Sequence, residues 1–512
     1  MRRLDRNFWI VAVIAVIIMF YSLGTVPLLD PDEPVYAETP KEMTAFNDFL
    51  SPRIYGEFWY DKPPLYYWLV AGAFQLFGMN EFAARFPSAL LAVAGVLAVY
   101  LFSLELFNKR AALVGALVLA TSVEYLYLGK AAVTDMTLNF CLLLALLGFI
   151  TKRYYLLYFF AGMATVAKGP IGFLFPGAII FLYLLATGRF RLLTEMKLGT
   201  GILLFCVVAL PWYLFMYYVH GNAFVDTFLG FHNITRFTSP EHPEVLVWYY
   251  FIPVLILGFF PWTAILAQSL WASLTQSGQN KRTLLFLHIW SAFIFLFFSL
   301  SQTKLVSYIL PMYPPLAIIA GWYIDRMWKM RERYIAWPII LGILSLLIIA
   351  GMFTGLKLMP ALADGIMVTT ALFVLMAICS GWFTWRQQIG KVFWTQVAGM
   401  TLFSLVLVSL LFSAAAPQFT SKYIAREFVN HYDGASPVYI IKFLHPGFTF
   451  YSNVYGSEMK KEELAAVVNR PGKGYLIIQQ NEYKLLTEPE KVKVKVVAEA
   501  ADRMILVKVI DN

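Results

Sequence analysis

Charge is what this chain has least of. Only 14% of its 512 residues are Asp, Glu, Lys or Arg, against 60% hydrophobic. A soluble globular chain carries about 25% charged and about 45–50% apolar residues. So few charges cannot build a water-facing surface, which excludes a soluble enzyme along with a collagen, a coiled coil and a disordered chain. Cysteine is also sparse. Cys141, Cys206 and Cys379 all fall in apolar segments, which argues against a disulfide framework or a cysteine-based metal site. Internal repeats and low-complexity tracts are absent. What remains is a series of long apolar runs, with a mean hydropathy of +0.66, and the chain reads as an α-helical polytopic membrane protein.

A membrane-crossing helix needs about 20 mostly apolar residues. Thirteen runs qualify, near 7–27, 83–107, 111–129, 137–151, 154–168, 170–188, 198–219, 246–273, 283–300, 306–325, 335–357, 361–385 and 392–413. The first follows Arg2, Arg3 and Arg6 like a signal peptide, but the spans behind it favour an uncleaved first helix. The net charge of +9 does not point to nucleic acid, because the basic residues sit in short clusters between apolar runs, as orientation signals do. With the N-terminus inside and the spans alternating, eighteen of the 40 Lys and Arg lie in inside loops and nine in outside loops. The tail holds the other thirteen. The odd number of spans puts that tail outside.

Acidic residues show the opposite bias: five lie inside and fifteen in outside loops, eight of these between Asp30 and Asp61. Chemistry is therefore expected on the extracytoplasmic face of the inner membrane. Two long outer loops, 28–82 and 220–245, belong to a membrane domain spanning 1–413. The first is expected to form amphipathic helices lying in the interface. Residues 414–512 alternate strand and helix patterns and predict a small extracytoplasmic α/β domain. Its strands are expected at 437–442, 475–479, 491–498 and 503–509, and its helices at 420–432 and 459–468.

Several outer motifs carry chemistry. Asp30-Pro31-Asp32-Glu33 follows the first span, and carboxylates there suit cation binding, sugar orientation or general-base work; the plainer reading is an acidic helix start. In Tyr60-Asp61-Lys62-Pro63-Pro64 a cation stands beside an aromatic belt, as phosphate capture at headgroup level requires, or as an ordinary interfacial anchor would. Asp135 opens the fourth run, as a site acid or a helix cap. Lys168, Arg236 and Lys304 share this face with Lys62, although the charge rule disfavours bases outside. Four cations around an acidic cluster suit an anionic ligand, and a lipid phosphate is the natural one. The plainer reading of each cation is a headgroup contact or a structural ion pair. His232 by itself reads as a polar interfacial residue.

In this order the motifs resemble the aminoarabinose-transferase-like family of integral membrane glycosyltransferases, which is related to the protein O-mannosyltransferases and has the GT-C fold. The pattern is Asp32-Glu33 with Tyr36-Ala37-Glu38, then Gly56 leading to Lys62-Pro63-Pro64-Leu65 and Trp68, then Arg85-Phe86-Pro87. Thr134-Asp135, Lys168-Gly169-Pro170 and Lys304 to Leu310-Pro311 complete it. The resemblance runs from about 27 to 320. It implies Asp32 and Asp135, with Glu33 beside them, as catalytic-site acids. It implies Lys62, Arg236 and Lys304 as holders of the lipid phosphate, with Tyr60, Tyr308 and Lys168 as further substrate contacts. Asp61 and His232 match the positions at which relatives bind a divalent metal such as zinc, although many relatives carry Glu in place of Asp61. No organic cofactor is implied. The aminoarabinose branch commonly has Arg where this chain has Val35, which leaves the sugar open.

The residues and the resemblance lead to one reading: an inverting transferase that moves a sugar from a polyprenyl-phosphate donor to a lipid A-like or other lipid or glycan acceptor. Nucleotide sugars are not available outside the membrane, so the donor must be lipid-borne. Phosphate leaves readily once its charge is stabilised, while a carboxylate takes the acceptor's proton. The protein is expected to act as a monomer in the membrane without nucleic acid. A protein O-mannosyltransferase-like enzyme, a transporter or flippase of lipid-linked sugar, and a non-catalytic lipid-binding scaffold are the alternatives. Transporters usually place ionisable groups mid-span and show repeats.

Overall fold

The computed structural model describes residues 5–235, 247–278, 280–330 and 334–508, without the side chains of 231–234. The chain forms two compact units. The first comprises Met1–Tyr21, Tyr60–Tyr66 and Phe86–Ser409, and the second Ser22–Trp59, Tyr67–Arg85 and Leu410–Asn512.

The first unit is helical. All thirteen apolar runs carry helix. Among the described residues six helices are long and apolar enough to cross a membrane, and eight if each of two bent pairs counts as one span. Arg6–Phe20, Asp135–Ile150 and Ile171–Thr187 are shorter apolar helices of this unit.

Both bends have local causes. The first pair, Lys109–Ala120 and Val123–Gly129, bends by 65°. At the break, Thr121 Oγ1 donates back to Leu117 O and Ser122 Oγ to Val118 O, at 2.5 and 2.7 Å. Such back-bonding competes with the helical ladder and bends it. The second pair, Phe251–Gly258 and Thr263–Leu274, bends by 105°, with Pro261 in the gap and one backbone donor therefore missing. The two breaks meet: Trp262 Nε1 donates to Thr121 Oγ1 at 3.0 Å in the buried interior. Bringing the breaks together gives the buried Trp262 indole N–H an acceptor in an apolar setting, where an unpaired donor would be costly.

The second unit is α/β. Its loop part holds the helix Asp32–Ala45, a small hairpin of β1 (Arg53–Ile54) and β2 (Glu57–Phe58), and the apolar helix Leu65–Phe77 from residue 67 on. The tail forms a five-stranded sheet from β3 (Val438–Ile441), β4 (Ser457–Met459), β5 (Tyr475–Gln479), β6 (Val494–Ala500) and β7 (Arg503–Lys508), in the order β4-β3-β5-β7-β6. β3 pairs in parallel with β4 and β5, while β7 is antiparallel to β5 and β6. Ile440, Leu476, Ile477, Ile505 and Leu506 form the core with Phe428 and Phe448 from the flanking helices.

The expected strands at 437–442, 475–479 and 503–509 are present. The expected strand at 491–498 starts only at Val494, because Thr487 and Glu490 make a capping box that starts a short helix, Glu488–Val492. The expected helix at 459–468 begins in a 3₁₀ turn at Lys461 and becomes α-helical at Leu464, since Ser457–Met459 joins the sheet as β4. The helix His445–Ser452 was not foreseen.

Candidate active site

In the second unit, Asp32 and Glu33 open the helix Asp32–Ala45, where acidic residues complement the helix dipole. The two acids part company there. Glu33 is buried, and both its oxygens are engaged: Oε1 accepts from Arg85 Nε at 2.7 Å, and Oε2 from Arg85 Nη2 at 2.6 Å and from the Leu29 amide at 2.9 Å. Arg85 also donates to the carbonyls of Leu23, Val26 and Pro27. Asp32 is exposed. The acid that sequence placed beside Asp32 in the catalytic set is therefore occupied in holding the loop.

Further along this helix, Glu38 pairs with Lys41 at 2.9 Å. Glu42 accepts the amides of Tyr55 and Gly56 at 2.6 and 2.9 Å, tying the hairpin to the helix. Burial pushes the Glu38 carboxyl up to about 7 against the pull of Lys41, and it raises Glu42 as well.

In the first unit, Lys62 Nζ donates to Asp61 Oδ1 at 2.8 Å, and both side chains are nearly buried. Tyr60 packs against the rings of His220 and Phe224, with centroids 5.4 and 5.8 Å away. Asp135 starts the helix Asp135–Ile150, and Lys168 ends the helix Tyr154–Lys168. Those helices pack together, so Lys168 Nζ reaches Asp135 Oδ1 at 2.7 Å. The same ammonium lies 5.3 Å from the Tyr308 ring centroid. Three residues predicted separately thus form one cluster.

Lys304 is 5% exposed. Its ammonium donates to the carbonyls of Ser299 and Ser301, at 3.2 and 2.5 Å. Among the described residues it meets no carboxylate, and burial pushes it below the usual lysine range. Lys130, another base on the predicted outer side, has a structural explanation: it donates to the carbonyls of Met19 and Tyr21, at the end of the helix Arg6–Phe20. Arg236 and the side chain of His232 lie outside the described residues.

Sequence reasoning missed Glu124, a buried acid whose Oε2 accepts from the Tyr313 hydroxyl. A lone carboxylate inside an apolar run was the available signal. It also gave Arg85 no role of its own.

The metal expected on Asp61 and His232 involves a side chain, that of His232, outside the described residues. No group of three or more His, Cys, Asp or Glu among them could hold an ion, and Asp61 is turned to Lys62.

The family model for dolichyl-phosphate-mannose-protein mannosyltransferase matches residues 61–215. An uncharacterised Aquifex aeolicus protein is 30% identical over 62% of this chain, and the chain spans only 64% of that relative's length. The crystal structure of ArnT from Cupriavidus metallidurans bound to undecaprenyl phosphate is similar over 99% of both chains, with a TM-score of 0.83 at 22% identity. That likeness shows the fold, the GT-C type. The undecaprenyl phosphate-alpha-4-amino-4-deoxy-L-arabinose arabinosyl transferase of Aeromonas salmonicida is 30% identical over 71% of this chain and 69% of its own, and the chain belongs to that family of multi-pass membrane glycosyltransferases.

Proposed function

We propose that the chain moves a sugar from a polyprenyl-phosphate donor to a lipid A-like or other lipid or glycan acceptor at the outer face of the cytoplasmic membrane. The observation that carries this reading is Lys304, a buried ammonium whose described partners are carbonyl oxygens alone. No carboxylate among the described residues faces this ammonium; a buried cation is costly unless paired, and a lipid phosphate offers the opposite charge. Lys168, Tyr308, Lys62 and Tyr60 join it as substrate contacts, and Arg236 is assigned with them from sequence. The name of the Aeromonas relative, which contains undecaprenyl phosphate, supports the donor class.

In the reaction, an acceptor hydroxyl attacks the anomeric carbon while the bond to the phosphate oxygen breaks, so the configuration inverts. The electron pair leaves with the polyprenyl phosphate, whose charge the lysines stabilise. The hydroxyl proton passes to a carboxylate. Asp32 is the assigned base because it is the exposed member of its acidic pair. Asp135, bound to Lys168, orders the phosphate-side cluster. Glu33 is a positioning residue. A divalent metal such as zinc on Asp61 and His232 stays a proposal from sequence, and elemental analysis of the purified protein tests it.

The architecture proposed with this function has thirteen spans in residues 1–413, an inside N-terminus, an outside domain at 414–512 and a monomeric state. Asn222→Cys and Ser457→Cys, both at exposed positions, should label with an impermeant thiol reagent in intact cells, and Asn108→Cys should not. Labelling at 108 would overturn the orientation. The function itself is tested by radiolabelled transfer from a synthetic polyprenyl-phosphate sugar to extracted envelope lipids in detergent. Movement of the intact lipid-linked sugar across vesicles without transfer would favour a flippase instead.

A further inference from the structure

Asp30 lies two residues before Asp32, and its side chain is fully enclosed. One carboxylate oxygen accepts from Ser421 Oγ at 2.7 Å and from Arg503 Nη2 at 3.1 Å. The Asp30 amide donates to Phe419 O at 2.8 Å. Gly447 lines the other oxygen so closely that a Cβ at that position would stand 2.0 Å from it. Arg503, on β7, is 1% exposed and also donates to the Gln418 carbonyl and to Asp502. Ser421, Gly447 and Arg503 come from three different elements of the tail, and all three close on one side chain of the acid loop. A carboxylate enclosed in this way offers no surface to a sugar or a lipid. On the other side of Asp32, Glu33 is gripped by Arg85. The one exposed acid therefore stands between two buried arginine–carboxylate pairs.

We propose that Arg503, with Ser421, is a positioning residue for Asp32: the tail sheet fixes the backbone of Asp30-Pro31-Asp32 through Asp30, and so sets the turnover of a reaction that these tail residues do not touch. The proposal rests on the reading of Asp32 as the base. It also gives the tail a role in catalysis. The physical argument is geometric. A general base must stand within hydrogen-bond reach of the proton it takes, and a misplacement of about 1 Å can cost about 100-fold. Replacing a buried ion pair by apolar residues of similar volume is often neutral for stability. Two such pairs flanking one exposed acid are better explained by the need to hold that acid still.

The test uses the full chain in detergent with a radiolabelled polyprenyl-phosphate sugar. Arg503→Gln should lower kcat at least about tenfold while the donor KM stays within about twofold, because what is lost is alignment of the base and not binding of the phosphate. Arg503→Lys, which keeps the charge, should recover part of kcat. Wild-type kcat in a folded Arg503→Gln would overturn the proposal, and so would a rise in KM with kcat unchanged. If Arg503→Gln does not fold, Ser421→Ala decides, since it removes one hydrogen bond and no charge. A lowered kcat at constant KM supports the proposal, and an unchanged kcat overturns it. Asp32→Asn in the same series separates the two layers. If it is inactive while Arg503→Gln and Ser421→Ala run normally, positioning alone fails. If it turns over normally, the base reading fails and takes the proposal with it.

Discussion

In the helical unit the two near-buried carboxylates among the candidate site residues face lysines, Asp61 to Lys62 and Asp135 to Lys168. In the unit built on the tail, the pairs most deeply enclosed on both sides face arginines, Glu33 to Arg85 and Asp30 to Arg503. The difference is chemical. A guanidinium is a planar fork that can grip a carboxylate bidentately, keeps its charge, and fixes direction as well as distance. An ammonium is a compact point charge on a flexible stem, and it can trade one oxygen for another. Fixed loops therefore rest on arginine, and the proposed phosphate site rests on lysine. The comparison teaches that a buried ion pair near an active site is not by itself evidence of catalysis. Glu33 stands among the catalytic-site acids in sequence, and its geometry with Arg85 is that of a brace.

Breaking that brace should have the largest effect. Arg85→Ala leaves Glu33 buried without its partner and also strips three loop carbonyls of their donor. Removing one member of a buried pair costs about 3–5 kcal/mol, so the variant should melt several degrees below the wild type in detergent. If it melts like the wild type, the pair is not what holds the loop. Next comes Asp32→Asn, which should bind the donor normally and lose at least about 100-fold in turnover, the low end for a general base. Asp135→Asn should also lose activity, because Lys168 loses its partner. Near-normal turnover in Asp32→Asn with none in Asp135→Asn would move the base to the helical unit. Third is Lys62→Ala. One charge-assisted contact is worth about 1.5–3 kcal/mol, or roughly 10- to 150-fold in donor affinity. An unchanged affinity for undecaprenyl phosphate would remove this lysine from the site.

How much of this was legible in sequence differs between the units for a physical reason. Apolar runs read as helix from composition, and all thirteen carry helix, although six to eight among the described residues are long and apolar enough to cross a membrane and neither bend could be read. The Thr121-Ser122 back-bonds need coordinates. In the tail, β5 and β7 are short apolar strands with turn residues at their ends, whereas three-residue β4 is too short to show a period. Asp32, Lys62, Asp135, Lys168 and Lys304 stood out because a charge at an apolar boundary is rare. Arg503 did not stand out. It lies in an expected strand of a charged domain, and its partner Asp30 is 473 positions away. Nothing local marks such a contact.

The smallest effect tests the buried acids of the helix Asp32–Ala45 and concerns pH. Glu38 is held at about 7, well above its usual 4.5, chiefly because burial disfavours the charged form more than Lys41 favours it; Glu42 is raised for the same chief reason. The sign follows from linkage. Between the unfolded and folded values the native state binds more protons than the unfolded chain does, so stability falls as pH rises. The contribution is fully present below about 4.5 and is lost as pH climbs through about 7. The melting temperature of the purified protein should therefore drop between pH 5 and pH 8. Glu38→Gln keeps a neutral acceptor in place and cannot titrate, so its drop should be smaller by a few degrees at most for a chain of this size. Arg85→Lys, which leaves the Glu38 region untouched, should keep the wild-type slope even if it melts lower throughout. Equal slopes in Glu38→Gln and the wild type would mean that Glu38 is ionised across the range, with Lys41 outweighing its burial.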